Sequence, residues 1–488
     1  MAQDQRTSAP ADTGSLGRDH VRTFLHVWLP LGVVALVPLL LLRQAAPGIS
    51  DPDTFWHIRA GHFLLDTWQF SGPDPFSRFS ENRWVLHEWL PEIFAAWADD
   101  VAGLAGVTWL WHLGVVGVFV ALFLTCRRHG GLLPTLVGSL AGLYGASGSL
   151  SSRPQLVTFA LVAVTTGAWL RTSSDLKQRW WLVPVSWLWA CSHGMWFAGP
   201  LVGFAVVASM LLDGADRRRT LKLAVVPVLS VLVAAATPVG PALLLAPFAV
   251  GDYTKYVSEW APVSLTSPFL AVTVAMLGVT VLLWCRGGRR IGWSRLVILA
   301  MSLGWCLLYG RTIAVGAMMA APLLVEALHR LMTGSALPIP QVDLRTERRW
   351  LSASVVAASV LAAVVLPATA SEPSNVPSEL DARLDSLSDR DVVFNDYALG
   401  GWLLWRHPEL APVIDGRTEV FTVPYVDRYM NTLTVRPGWQ KVVATSGATS
   451  ALLRDDSPLG DALQHQMQWT VVGSDAGYTL LRSPGASS

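Results

Sequence analysis

FLHVWLPLGVVALVPLLLL, residues 24–42, contains no Asp, Glu, Lys or Arg, and DPDTFWHIRAGHFLL, residues 51–65, follows it after a short connection. A helix needs about 20 apolar residues to cross a hydrocarbon core about 30 Å thick, so the first stretch reads as a membrane span. The core of a secretory signal peptide is shorter, about 7–15 residues, and ends at a small-residue cleavage site. AAPG at 45–48 is a weak match to such a site, and the apolar runs downstream favour an uncleaved span. The second stretch begins where the chain leaves the membrane, with Asp51, Asp53, Trp56, His57 and Arg59 close together. Singly, each of these reads as a solvated loop residue. Phe55 and Trp56 among them suggest a segment packed on the membrane face.

Of the 488 residues 52% are hydrophobic and 15% charged, against about a quarter charged in a soluble domain, so much of the surface faces lipid. A net charge of +1 gives no electrostatic basis for a nucleic-acid partner. Cys126, Cys191, Cys285 and Cys306 fall within or at the ends of apolar runs, without zinc spacing. Ten further runs follow the first, near 101–125, 132–150, 155–170, 181–192, 196–212, 221–237, 267–285, 292–309, 312–331 and 351–368. The chain therefore reads as an α-helical polytopic membrane protein with about 11 spans. The least regular pair comes from the uncharged stretch 181–212, which bends at SHG, 192–194.

Charge placement orients the spans. Arg127 and Arg128, Arg171 with Lys177 and Arg179, Arg217 to Arg219 with Lys222, Arg286 with Arg289 and Arg290, and Arg345 with Arg348 and Arg349 occupy alternate connections. By the positive-inside rule those connections are cytoplasmic, which places the N-terminus inside and the C-terminus outside the plasma membrane. Residues 1–23 read as a disordered cytoplasmic tail and 24–370 as the membrane domain, with a large first outer loop at 43–100. Within that loop, WLPEIFAAWADD (89–100) has Trp89, Ile93, Phe94 and Trp97 at helical spacing, the pattern of a helix lying on the membrane surface. Residues 371–379 form a linker. Over 380–488 short strand-like runs (DVVFN, APVIDG, SALLR, WTVVG and YTLLR) alternate with helical ones, predicting a small extracytoplasmic α/β domain.

The outer face collects the residues that can carry chemistry. Asp51 and Asp53, taken as a short extended segment, can share a divalent cation such as Mg2+ or Mn2+, or divide the work between metal binding and general base. His57, His87, Glu88, His193 and Glu259 are candidates for positioning an acceptor. Arg153, Arg311 and Lys255 lie in apolar surroundings near span ends, where an ionisable group is costly unless paired, and each could hold a phosphate. The plainer reading of each is an interfacial or ion-paired residue. In the outer domain Asp396, Asp415 and Arg417 sit at expected strand ends, where both binding and capping residues occur. No GxGxxG or Walker loop is present. An outward-facing enzyme lacks a supply of nucleotide sugars, so its donor would be lipid-borne.

In order along the chain, DPDTFWHIRAGHFLL, GPDPFSRFSENRWVLHEWLPE, SSRPQL, SHG, TPVGP, SEWAP, YGRTIA and FNDYALGGWLLW…VIDGRTE resemble a group of bacterial multi-span proteins placed with the GT-C-type membrane glycosyltransferases. The resemblance runs from about residue 50 to 482. It implies a GT-C-like fold, a catalytic carboxylate in the first outer loop, a polyprenyl-phosphate sugar donor, often a divalent metal, and an outer soluble domain. Carried over, the loop acid is Asp53 or Asp51, with Glu88 the loose counterpart of a second acid. The sequence departs from the pattern in lacking an adjacent acid pair and in its small outer domain. The expected function is sugar transfer to a cell-envelope glycan, lipid or protein on the outer face. The alternative is a non-enzymatic transporter or scaffold for envelope lipid or polysaccharide assembly. A transporter is disfavoured by the lack of internal repeats and of acids central to the spans.

Overall fold

A computed structural model describes residues 21, 23–245, 253, 255–256, 260–288, 290–333 and 343–485. Nearly all of the expected tail 1–23, and Glu259, lie outside the described residues. Each of the eleven apolar runs coincides with a helix: α1 (Phe24–Ala45), α3 (Trp89–Cys126), α4 (Leu132–Ala146), α5 (Gln155–Asp175), α6 (Leu182–Ala190), α7 (Ala198–Leu212), α8 (Arg217–Ala236), α9 (Pro268–Arg286), α10 (Trp293–Leu308), α11 (Ile313–Thr333) and α12 (Leu344–Thr369). Among the described residues, eight helices are long and apolar enough to cross a membrane. The figure of eleven therefore rests on three shorter helices, α4, α6 and α10. The α11 helix is the central post, with 89% of its apolar window buried, whereas α12 is peripheral at 28%.

The loop at 43–100 holds a helix where the sequence reading had an extended segment. Asp51 caps α2 (Pro52–Thr67): its Oδ1 accepts the Asp53 backbone N–H at 3.1 Å, Pro52 occupies the first turn, and Asp53 lies there too. These are the ordinary start signals of a helix, an Asp cap and a proline with pre-set φ, plus a carboxylate near the positive end of the dipole. The amphipathic segment 89–100 is helical as expected, and is continuous with the second span. A kink at Ala102 and Gly103 divides the two, and Gly103 has φ 59° and ψ −152°, a region essentially open to glycine alone. Gly61 lets α2 cross this segment closely, because a side chain there would overlap the Glu92 backbone.

In the loop at 43–100, β1 (Ser71–Gly72) pairs antiparallel with β2 (Trp84–Val85), and beyond the membrane helices β3 (Val392–Asn395), β4 (Ala411–Pro412), β5 (Ala448–Arg454), β6 (Thr470–Asp475) and β7 (Tyr478–Arg482) form one sheet in the order β4-β3-β5-β7-β6. The β3 strand is parallel to β4 and β5, and the pairs β5–β7 and β7–β6 are antiparallel. Strand side chains alternate faces, which splits the apolar residues into two cores. Val392, Phe394, Ala451, Leu453 and Leu481 pack with Ala60, Leu64, Trp84 and Leu86. Val393, Leu452 and Leu480 pack with Ile49, Phe55, Ile58, Ala98 and Leu104. Residues of the loop at 43–100 thus contribute to the core on each face of the C-terminal sheet.

Candidate active site at the first outer loop

The capped start of α2 faces the turn that precedes α5. Arg153 in that turn bridges the two acids: its Nε lies 2.6 Å from Asp51 Oδ2 and its Nη1 2.9 Å from Asp53 Oδ2. The three side chains are only 14%, 9% and 19% exposed for Arg153, Asp51 and Asp53. Burial works against ionised Asp51, but the Arg153 guanidinium, helped by the Ser151 hydroxyl and the Asp53 N–H, holds its carboxyl below the usual range. Thr54 Oγ1 bonds Ser152 O at 2.9 Å and Ser152 Oγ at 2.6 Å, which pins α2 to the same turn.

That turn reaches the second arginine through Gln155. The Gln155 Nε2 donates to Ser149 O at 2.7 Å and to Ser151 Oγ at 3.2 Å, while its Oε1 accepts from Arg311 Nη2 at 2.6 Å and Nε at 3.2 Å. Arg311 lies over the Trp260 ring at 5.3 Å.

A second cluster surrounds Glu88 at the start of α3. The Nε2 atoms of His57, His87 and His193 lie 3.7, 3.6 and 3.6 Å from its carboxylate oxygens. Each ring is fixed by its other nitrogen, His57 against Glu92 at 3.0 Å, His87 against Val85 O at 3.2 Å, and His193 against Thr158 Oγ1 at 2.8 Å. His193 Nδ1 also accepts the Met195 N–H at 3.3 Å. Trp189 Nε1 donates to Thr158 Oγ1, leaving the hydroxyl proton for His193, so the neutral ring carries its own proton on Nε2, toward Glu88. Burial pushes His193 down to about 3 despite the Glu88 charge. Burial also disfavours charged His87, yet Glu88, with Glu419 behind it, raises that ring to about 9. Burial raises the Glu88 carboxyl, the imidazoles of His193, His87 and His57 outweigh it, and it stays ionised well below the usual carboxylate range. At neutral pH His87 and Glu88 are therefore the charged pair.

The remaining candidates fall elsewhere. Lys255 is not in apolar surroundings: it is 57% exposed and meets Asp427 of α14 (Val423–Leu433) at 3.3 Å. Asp415 and Arg417 are not open to a ligand. Both are fully buried, Arg417 bonding Asp415 Oδ2 at 2.7 Å and Asp74 Oδ1 at 2.6 Å, with its guanidinium 4.9 Å from the Phe76 and 5.1 Å from the Trp84 ring centres. Asp396 caps a short helical turn, its Oδ1 accepting the Ala398 N–H at 3.0 Å. The sequence reading missed Glu92, Gln155 and the pairing of Asp74. Glu92 was findable as the residue one helical turn beyond Glu88, whereas the Asp74–Arg417 contact spans 343 residues and has no local signature.

A divalent cation on Asp51 and Asp53 does not fit these residues, because the guanidinium of Arg153 already fills the position between the carboxylates. Among the described residues, the donor atoms of Asp385, His407 and Glu409 do converge within 4.8 Å. This C-terminal group includes neither Asp51 nor Asp53. Its buried imidazole lies against Asp385 at 2.9 Å and Asp381 at 3.2 Å.

Solved structures show which fold carries this site. The apo oligosaccharyltransferase of Archaeoglobus fulgidus matches with a TM-score of 0.59 at 11% identity, over 89% of this chain and 70% of that one. ArnT from Cupriavidus metallidurans, bound to undecaprenyl phosphate, matches with a TM-score of 0.51 at 14% identity, over 98% and 99% of the two chains. The arabinofuranosyltransferase AftD from Mycobacteria matches at 0.50 and 13% identity, over 94% of this chain and 41% of that one. No protein-family model matches the sequence, and neither does any curated protein. The neighbours are GT-C-type glycosyltransferases, and the chain has their fold.

Proposed function

We propose that this multi-pass GT-C-fold protein is a glycosyltransferase that moves a sugar from a polyprenyl-phosphate donor to a cell-envelope glycan, lipid or protein outside the plasma membrane. The observation that carries the reading is the bridge from Arg153 to Asp51 and Asp53, tied through Gln155 to Arg311. A guanidinium binds a phosphate as readily as a carboxylate, bidentately in either case. On arrival of the donor, Arg153 exchanges a carboxylate for the lipid phosphate, charge for charge, and Asp53 is released as general base. The acceptor hydroxyl oxygen then bonds to the anomeric carbon as the bond from that carbon to the phosphate oxygen breaks. Asp53 takes the hydroxyl proton, and polyprenyl phosphate leaves on Arg153 and Arg311. Asp51 keeps the arginine and the helix start in place. His57, His87, His193 and Glu88 form a pre-set polar wall for the acceptor, and Glu259 is a further candidate for that wall. The ArnT relative holds undecaprenyl phosphate, which supports a lipid-borne donor here.

The test is sugar transfer from a panel of undecaprenyl-phosphate hexoses and pentoses in membranes containing the protein. Asp53→Asn is expected to lower turnover by about 100-fold or more, as loss of a general base does. Arg153→Ala and Arg311→Ala are expected to weaken donor binding. Full activity in folded Asp53→Asn and Asp51→Asn proteins at normal abundance would overturn the proposal.

A further inference from the structure

The turn Asp415–Gly416–Arg417 belongs to the C-terminal unit, the outer unit of the proposed topology, yet its backbone lies against Asp53. A methyl built on Gly416 would overlap Asp53 Oδ1 and lie 2.9 Å from Trp56 Nε1. One on Gly401, at the start of α13 (Gly400–Arg406), would lie 2.5 Å from Pro52 O. Two glycines of the outer unit therefore press bare backbone against the first turn of α2, the turn that carries Asp53. Tyr397 Oη donates to Gly416 O at 3.2 Å. The turn is braced by Arg417, whose N–H and Nε both bond Asp415 Oδ1 at 2.9 Å while its Nη1 reaches Asp74 in the first outer loop at 2.6 Å. The Arg417 side chain has no exposed surface.

We infer that this turn is a positioning element of the carboxylate site: the Gly416 backbone is the stop against which Asp53 is set, and the Asp74–Arg417–Asp415 clamp holds the stop in place. This rests on the reading of Asp53 as the working carboxylate. It also gives the outer unit a part in the reaction, since its backbone bounds Asp53 on one side. Arg417 acts through Gly416 and touches no substrate. Its neighbours are two carboxylates and two aromatic rings, which hold it in one orientation.

The experiment has two arms. In the first, thermal unfolding is measured for wild type, Gly416→Ala, Asp53→Ala and the double variant. The added methyl is expected to lower Tm by several degrees in the wild-type background and by distinctly less once Asp53 Oδ1 has been removed. Equal losses in both backgrounds would overturn the contact. In the second, turnover of an undecaprenyl-phosphate sugar is measured beside binding of undecaprenyl phosphate alone. Gly416→Ala is expected to cut kcat by roughly 100-fold, the scale of a misplaced reacting group, with affinity for undecaprenyl phosphate within about twofold of wild type. Unchanged kcat beside an inactive Asp53→Asn would overturn the positioning role and leave the proposed function standing. Should wild type turn over no member of the panel, the proposed function fails, and the melting cycle alone decides whether Gly416 sets Asp53.

Discussion

At the scale of single residues, Arg417 shows what a buried charge requires. It, Asp74 and Asp415 have no exposed side-chain surface, so removing the cation leaves two desolvated carboxylates with backbone N–H donors but without their countercharge. Arg417→Ala is expected to cost about 3–5 kcal/mol in unfolding free energy. Arg417→Lys is expected to recover only part of it, because one ammonium cannot reproduce a planar fork held by two acids. Denaturant unfolding of the purified variants checks both, and a loss below about 1 kcal/mol for the alanine variant would show that water reaches the acids. His87 makes a pH prediction. Its folded value, about 9, lies above the 6.5 of a free imidazole, so the protonated ring stabilises the folded state. That contribution is complete below about 6.5 and fades as pH rises through about 9. Tm of wild type should therefore fall more steeply than that of His87→Gln between these values, and parallel curves would refute the pairing with Glu88.

At the scale of elements, the kink in α3 joins the amphipathic surface segment to the membrane span. Gly103 adopts φ 59° and ψ −152°, so Gly103→Ala is expected to cost about 1–3 kcal/mol through backbone strain alone. No neighbouring atom lies within 4 Å of the added methyl, which makes the variant a clean measure of strain; an unchanged melting curve would mean the kink can relax. Helices were the legible part of this chain. Apolar runs and Trp spacing located the eleven apolar helices named above among the described residues, and the helical segment at 89–100, because both signals are local. The DPD start of α2 carried its own signal, an Asp cap followed by proline, and reading the two acids as a short extended segment passed over it. What joins the site was not legible. Arg153 meets Asp51 across 102 residues, and Lys255, read as buried, is held at the surface by Asp427, 172 residues away. Such contacts follow from tertiary packing, and nothing in either local sequence encodes the partner.

At the scale of the whole molecule, the C-terminal sheet and the loop at 43–100 form a joint structure. The sequence division at 371–379 suggests a separable module, but the two cores of the sheet are completed from the other side of that division. Ala60, Leu64, Trp84 and Leu86 pack in one core with Phe394, Ile414 and Phe421. Phe55, Ile58 and Leu104 pack in the other with Leu399, Trp402 and Leu452. Burying one such large apolar side chain contributes about 1.5–3 kcal/mol, and a small domain has a net stability of only about 5–15 kcal/mol. A fragment of residues 371–488 would lose these partners together with the Asp74 brace on Arg417. It is expected to bind apolar dyes and aggregate rather than melt cooperatively. In the intact protein, amide exchange should give β3 and α2 the same opening free energy, because neither can leave its core without exposing the other. A monomeric fragment with a sharp melting transition, or an α2 that exchanges long before β3, would show that the outer unit folds alone. The carboxylates of α2 would then owe their placement to the membrane helices and the turn at Arg153, with no share from the sheet above them.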